Sequence, residues 1–321
     1  MSVHRNTFTE GMKKQMYAYF FEAYDSKPTV YNQIFDEQPS DAAYEQSTSV
    51  VGMGKLAAKP EGEPITYRQP MEGFTTYGIN RTFADGVSIS METVEDHQRI
   101  DNILRATAST WGFSVNATRE EFYAKTFNKG GFTSGDDHFK NIISGVISQN
   151  ADGLVYDGKP LFNLSNNTRA SKQGGTYYNG LALGLTQANL ITAWERMTST
   201  NNRNEKDEIV SIRPDTLLVP PALEMAARVI LNSTSIPGSG NNDINVAANL
   251  VNLVTWDYLT DTDAWFLLKA KTGLVAQNRR APIIDFYQDE DTKDYKANIT
   301  ARFGHRVDNW RFVVGSNFAT S

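Results

Sequence analysis

Ile212-Arg213-Pro214-Asp215-Thr216-Leu217-Leu218-Val219-Pro220-Pro221-Ala222-Leu223-Glu224-Met225-Ala226-Ala227-Arg228-Val229-Ile230-Leu231-Asn232-Ser233 reads as a buried strand, a proline stop and a helix. Thr216 to Val219 is a short, nearly continuous apolar run, the pattern of a strand covered on both faces. Pro220-Pro221 ends it, and a proline at a first helical position, where no N–H is needed, starts the helix Ala222 to Leu231. A strand feeding directly into a helix predicts a mixed α/β block rather than an all-helical or all-β domain.

The neighbouring sequence extends that block from about Gly153. Thr186 is placed to cap a helix carrying Leu190, Ile191, Trp194 and Met197. Further strands are expected at Leu250 to Trp256 and Ala264 to Ala270. Loop signals dominate Asn163 to Gly180 and the Ser/Gly/Asn-rich Asn232 to Asn245.

Upstream lies a different kind of segment. After Ser90, a candidate N-cap, apolar positions Ile100, Leu104, Trp111, Val115 and Phe122 recur at helical steps as far as Lys125 and Lys129, where Gly130-Gly131 supply the stop. That predicts a spine of about 55 Å at 1.5 Å per residue. A second helix is expected from Asp136. Before the spine, Val50 to Gly86 carries a density of glycine and proline that no helix tolerates, yet Tyr67, Phe74, Tyr77, Ile79 and Phe83 are interleaved with Thr and Arg. This is the composition of a long two-stranded excursion whose apolar side chains need a surface to cover them. Phe8 to Tyr24 has aromatic residues near helical spacing, and Pro28 and Pro39 punctuate the arm that follows. Downstream, Tyr295 to Phe303 alternates strictly, the period of a half-buried strand, with Pro282 to Tyr287 and Trp310 to Val314 as expected partners and Asp289 to Asp294 as a hairpin tip.

Composition narrows the function. Lys+Arg 31 against Asp+Glu 37 gives a formal charge of -6, unsuited to gripping nucleic acid by phosphate neutralisation. With no cysteine, disulfides, thiolate metal sites and cysteine nucleophiles are excluded together, as suits a reducing compartment. Met1 to Glu10 is polar, without the apolar stretch of a secretory signal, and no run approaches the roughly eighteen apolar residues a membrane span needs, so a soluble intracellular product is expected.

Chemical motifs are weak. Gly52-Met53-Gly54-Lys55 superficially resembles a dinucleotide loop, but Pro60, Gly62 and Pro64 destroy the helix that must follow. His4, His97, His138 and His305 lie far apart without metal-ligand spacing and read as surface or helix-face residues. Asp257, Asp261 and Asp263, and Asp289 to Asp291, lack the glycine and terminal glutamate of a calcium loop and read as solvated turns. No catalytic residue, cofactor or metal is expected.

The stretch Ile212 to Ser233 closely resembles the same region of the Mu-type phage major head subunit family. Four further matches follow the family's order: Lys59 to Glu63, Asp157-Gly158-Lys159-Pro160-Leu161-Phe162, Asn242-Asp243-Ile244-Asn245 and Tyr258 to Trp265. The resemblance implies an α+β Hong Kong ninety-seven-type capsid fold, with an amino-terminal arm at 1–49, an extended loop at 50–87, a peripheral domain at 88–150 plus 276–321 and an axial domain at 151–275. It implies a structural protein that self-assembles as hexamers and pentamers into an icosahedral head around double-stranded DNA, held without sequence specificity. Portal, scaffold or decoration proteins are the implied partners, with no membrane. The virion is the implied location, after assembly in the host bacterial cytoplasm. Candidate subunit contacts are Phe74, Tyr77 and Arg81 on the loop and Asn241, Asn242, Asp243 and Asn245 near the axial tip. Two rivals remain: a cellular nanocompartment shell of the same fold, and a soluble hydrolase using paired carboxylates in Asp257 to Asp263. A covalent cross-link from Lys55 or Lys59 has no identifiable partner residues.

Overall fold

The computed structural model describes residues 5–51, 56, 58–65, 67, 71–90, 92, 100–131, 155–157, 159–235, 243–292 and 294–319. The expected helix from Asp136, the Gly52 to Lys55 motif, His4, His97, His138, Asn241 and Asn242 fall outside them.

The spine forms as its apolar period predicts. Helix α3, Ile100–Asn128, rises about 43 Å at 1.5 Å per residue, and Gly130 follows its last turn, donating its N–H to Phe127 O. Along its first half one stripe is buried, Ala108, Trp111 and Val115, whereas from Asn116 onward nearly every face is covered, including Arg119 and Glu120. The reason lies in its neighbours. Helix α1, Arg5–Asp25, packs on the first half, and α2, Tyr31–Ile34, caps the second. The amino-terminal helix is therefore seated on its own chain, and Gly112 allows it: a Cβ there would lie 2.8 Å from Phe20 O and Tyr24 N.

A mixed five-stranded sheet lies against this spine in the order β1-β10-β11-β3-β2, where β1 is Asp36–Pro39, β2 Tyr44–Val51, β3 Met71–Ile89, β10 Leu274–Gln288 and β11 Tyr295–Val307. The alternation read in Tyr295 to Phe303 is realised, with Ala297, Ile299, Ala301 and Phe303 buried towards the helices. The register of β10 slips around Pro282, between Arg280 and Ile283, where a residue without an N–H cannot extend the ladder. β1 and β2, parts of the expected arm, are strands of this sheet, because β1 pairs in parallel with Val275 to Asn278 and β2 antiparallel with β3.

A second five-stranded sheet has the order β6-β12-β9-β7-β8: β6 Gly180–Leu181, β7 Thr216–Val219, β8 Asn252–Thr255, β9 Trp265–Leu268 and β12 Val313–Ser316. The decisive stretch folds as read. β7 is buried throughout and runs into α5, Pro221–Asn232, while α4, Gln187–Glu195, is capped by Thr186 Oγ1 accepting from Asn189 N. A small hairpin, β4 Arg169–Ala170 with β5 Thr176–Tyr177, leads into β6.

Two expectations are corrected. Trp310 to Val314 does not extend the first sheet beside Tyr295 to Phe303: Trp310–Phe312 forms a single 3-10 turn and β12 enters the second sheet, antiparallel to β9. All four β12 residues are buried, as a strand with both faces covered requires, so its run of Val-Val-Gly fits the interior of the second sheet. His305 is a buried strand residue, not a surface or helix-face one. The expected division at 275–276 falls inside β10, and β12 carries the end of the expected peripheral segment into the sheet of the axial one.

At the β10–β11 tip, Asp289 accepts from Asp291 N at 2.9 Å and Thr292 N at 3.3 Å and pairs with Lys296. Lys296 first, then those amides, hold its carboxyl down at about 2. Because this folded value lies below the ordinary 3.8, the tie is fully present above about pH 4 and is lost as pH falls through about 2. A carboxyl-carbon titration of the subunit should therefore place the Asp289 midpoint near 2; a midpoint near 4 would mean the tip is untied.

Candidate subunit-interface surfaces

The excursion begins at a tightly built root. β2 and β3 pair from Tyr44–Ile79 to Val51–Met71, with a register slip between Thr48 and Val50. At the slip, Phe74 N donates to Ser49 Oγ at 3.0 Å, and Gly73 is required because its Cβ would sit 1.9 Å from that oxygen. Phe74 lies here, half-buried and covered by its own chain: its ring stacks flat on Tyr156, centroids 3.7 Å apart, with Lys172 Nζ 5.1 Å from its centroid. Lys172 also donates to Glu72 O and, at 3.1 Å, to Gly73 O. The root of the loop is thus clamped to residues 156 and 172, an arrangement with no local sequence signal.

Tyr77 is half-buried further along β3, its ring 6.3 Å from that of Tyr44, and Arg81 stands opposite Phe303 in the β11 ladder. Beyond the root, Leu56, Ile65 and Tyr67 are exposed, Tyr67 by 91%.

In the stretch after α5, Asp243 is exposed, whereas Asn245 is 4% exposed. Its amide donates to Ile230 O at 2.6 Å and Ser233 O at 2.8 Å, and its Oδ1 accepts from Ala247 N and Gln187 Nε2. The Asn245 side chain buckles the tip onto α5 from within. Its neighbours Ile244 and Val246 point outward, as do Met225 and Val229 of α5. Ile244 lies within the stretch 241–245 that the sequence marks as a candidate contact, whereas Met225, Val229 and Val246 carry no such signal, although the apolar residues of α5 on both faces are visible in its sequence.

The paired carboxylates are structural. Asp263 accepts from Asn317 Nδ2 at 2.7 Å and Asp261 from Ala319 N at 3.0 Å, and their mutual hydrogen bond raises the Asp263 pKa. Glu120 and Asp257 both line a cleft of about 280 Å³, but Glu120 accepts from Val30 N, Tyr31 N and Trp256 Nε1, and burial holds its pKa above the ordinary carboxylate value. Among the described residues no cluster of acidic or histidine side chains could hold a metal ion, and no helix is long and apolar enough to cross a membrane.

Around this spine helix with its sheet, and a second sheet with its own helices, the family model described as phage capsid protein matches residues 80–316. The chain belongs to the phage capsid protein family. No curated protein matches it. Among solved structures, this phage capsid protein is similar to the capsid of cyanophage P-SCSP1u, with a TM-score of 0.58, 10% identity, and 92% of this chain and 89% of that chain covered. It is similar also to a chain from Gordonia phage Cozz, at 0.52 and 10%, covering 89% and 85%, and to one from Mycobacterium phage Bobi, at 0.51 and 11%, covering 92% of each. At these identities the likeness is one of fold: an α+β, Hong Kong ninety-seven-type capsid fold. The phage capsid protein is a structural major capsid subunit that self-associates into the virion shell, and not an enzyme.

Proposed function

We propose that the subunit assembles as pentamers and hexamers into an icosahedral head around double-stranded DNA, in the host cytoplasm, and that it belongs to the Mu-type branch of its family. In this reading the sheet containing β7 and β9 is the axial part and the sheet containing β10 and β11 the peripheral part. The excursion past Val51 laps over a neighbour, whereas the amino-terminal helix stays on its own spine. The observation that carries the reading is the excursion: Leu56, Ile65 and Tyr67 stand exposed on a segment outside either sheet. Exposed apolar side chains on such a segment need a surface to cover them, and in a shell that cover is the next copy. A net charge of -6 suits an inner wall that must fill with DNA and later release it. Portal, scaffold or decoration proteins would join at the shell's special positions, and many weak contacts, each reversible, would close into a stable whole.

Val51 and Met71 are cross-strand partners, so an Asn-Gly turn can replace residues 52–70 with the register of the root intact. This variant should fold, remain soluble and form no closed particles by electron microscopy, whereas the unaltered protein gives closed shells. Normal shells from the shortened chain would remove the loop from the mechanism; an unaltered chain that stays a single molecule at high concentration would remove the shell itself.

A further inference from the structure

The outer face of the first sheet holds two cations side by side. Ala301 and Phe303 of β11 are buried in the core beneath the spine, so Arg302 between them points the other way. Arg280 stands directly opposite Arg302 in the ladder of β10 and β11, and residues paired in this way share a face. The hydrogen bond from Arg280 Nη2 to Thr300 Oγ1, at 2.9 Å, agrees, because Thr300 is two residues from Arg302 and on the same side. The ladder slips on both sides of Arg280, between Asn278 and Arg280 and between Arg280 and Ile283, and such irregularities re-aim side chains.

Like charges directly opposite each other destabilise a sheet. Other cations of this sheet have acids: Arg279 lies 3.5 Å from Asp41, Lys296 pairs with Asp289, and Arg306 with Asp308. Among the described residues neither Arg280 nor Arg302 has an ion pair, and Arg302 Nε is buried without a hydrogen-bond partner. The acid of β10 on that face, Asp285, stands opposite Asn298, four residues from Arg302 and so about 14 Å along the strand. Asp85 of β3 is turned to the spine, where it accepts from Trp111 Nε1 at 3.0 Å. The two guanidinium groups therefore face solvent together, Arg280 exposed and Arg302 half-buried, with nothing of opposite charge beside them.

We propose that Arg280 and Arg302 hold a phosphate dianion, free or as a monoester, against the outer face of the first sheet. Charge selects this class. Two guanidinium groups bring two positive charges; a carboxylate or a nucleic-acid diester returns one negative charge, whereas a phosphate monoester returns about 1.5 to 2. Shape agrees, because each planar guanidinium offers its N–H groups as a fork to phosphate oxygens. Thr300 beside Arg280, and Thr82 opposite Arg302 on β3, add hydroxyls at the rim. The net charge of -6 does not forbid an anion here, since charges further than about 8 Å away are largely screened at physiological ionic strength. The bound anion would tie β10 to β11 where their ladder slips.

Thermal midpoints of the full-length unassembled subunit are compared in chloride and in inorganic phosphate at matched ionic strength, for the parent, Arg280→Gln and Arg302→Gln. In chloride each variant should be at least as stable as the parent, because one of two repelling charges is gone. In phosphate the order should reverse, since the parent alone gains from a bound ligand. The parent's midpoint should climb along a saturating curve, with an apparent affinity at least tenfold weaker in either variant. A rise shared equally by parent and variants is the general effect of an excluded salt and would overturn the proposal. A second arm uses a nucleoside monophosphate: saturation at a lower concentration than inorganic phosphate assigns the site to a monoester, and the reverse assigns it to the free anion. If neither saturates, or if only a short DNA duplex raises the midpoint, the site is not one for a phosphate dianion.

Discussion

Trp256→Ala is expected to lower the unfolding free energy of the subunit by about 3–5 kcal/mol, measured by guanidinium denaturation of unassembled protein. Trp256 is fully buried where three parts of the molecule meet. Its backbone N–H donates to Val219 O beside the second sheet, its ring lies edge-on to Phe127 of the spine at 6.0 Å, and its indole N–H donates to Glu120. Glu120 in turn holds Val30 N at 2.6 Å, at the entry to α2. Removing the ring opens a cavity at the seam and strips a desolvated carboxylate of a donor. Trp256→Phe separates these effects, since it keeps most of the volume and loses only the donor, at about 1–3 kcal/mol. Burial already holds the Glu120 pKa up, so its contribution to stability falls as pH rises through that raised value, and losing the indole donor raises the value further. A loss below about 1 kcal/mol for the alanine variant would show that the seam is not a shared core.

Arg311→Ala should cost a comparable amount, about 3–5 kcal/mol, for an electrostatic reason. Arg311 Nη1 meets Glu205 Oε1 at 3.1 Å with both side chains nearly excluded from solvent, and its guanidinium sits 4.8 Å from the Trp310 ring centroid. Deleting the cation leaves Glu205 charged and buried without its partner. Arg311→Leu combined with Glu205→Leu removes both charges at once and should recover most of the loss, because desolvating two ions costs about as much as their attraction returns. The cycle is read from denaturation midpoints of the two single variants and the double one. A double variant as unstable as Arg311→Ala would show that packing, not the orphaned charge, sets the cost.

Local pattern carried the reading as far as local pattern can. Thr216 to Asn232 folds as its sequence predicts because a short apolar run, two prolines and a helical period each specify their own state. The same holds for the spine and for the alternation of β11. Partner choice is another matter. Val313-Val314-Gly315 is as good a strand in either sheet, and only the covered slot between β6 and β9 selects one. Asp36-Glu37-Gln38-Pro39 has no apolar period at all; its place beside β10 is supplied by the ladder from Val275 to Asn278. The surfaces divide in the same way. The clamp on Phe74 joins residues about eighty and a hundred positions away, which no spacing rule connects, and Asn245 looked like exposed polar loop because its acceptors, Ile230 O and Ser233 O, are backbone atoms. The outer stripe of α5, by contrast, was present in the letters, hidden by the habit of assigning every apolar residue to a subunit's own interior.

The position of β12 bears on synthesis. A nascent chain emerging from the ribosome can lay down β7 and β9 long before Val313 to Ser316 appear, and until then the slot between β6 and β9 stands open, with the backbone of β9 unpaired along one side. Translation order thus imposes a delay: the part of the subunit that carries α5 acquires its finished form only after the spine and the long hairpin of β10 and β11 have been made.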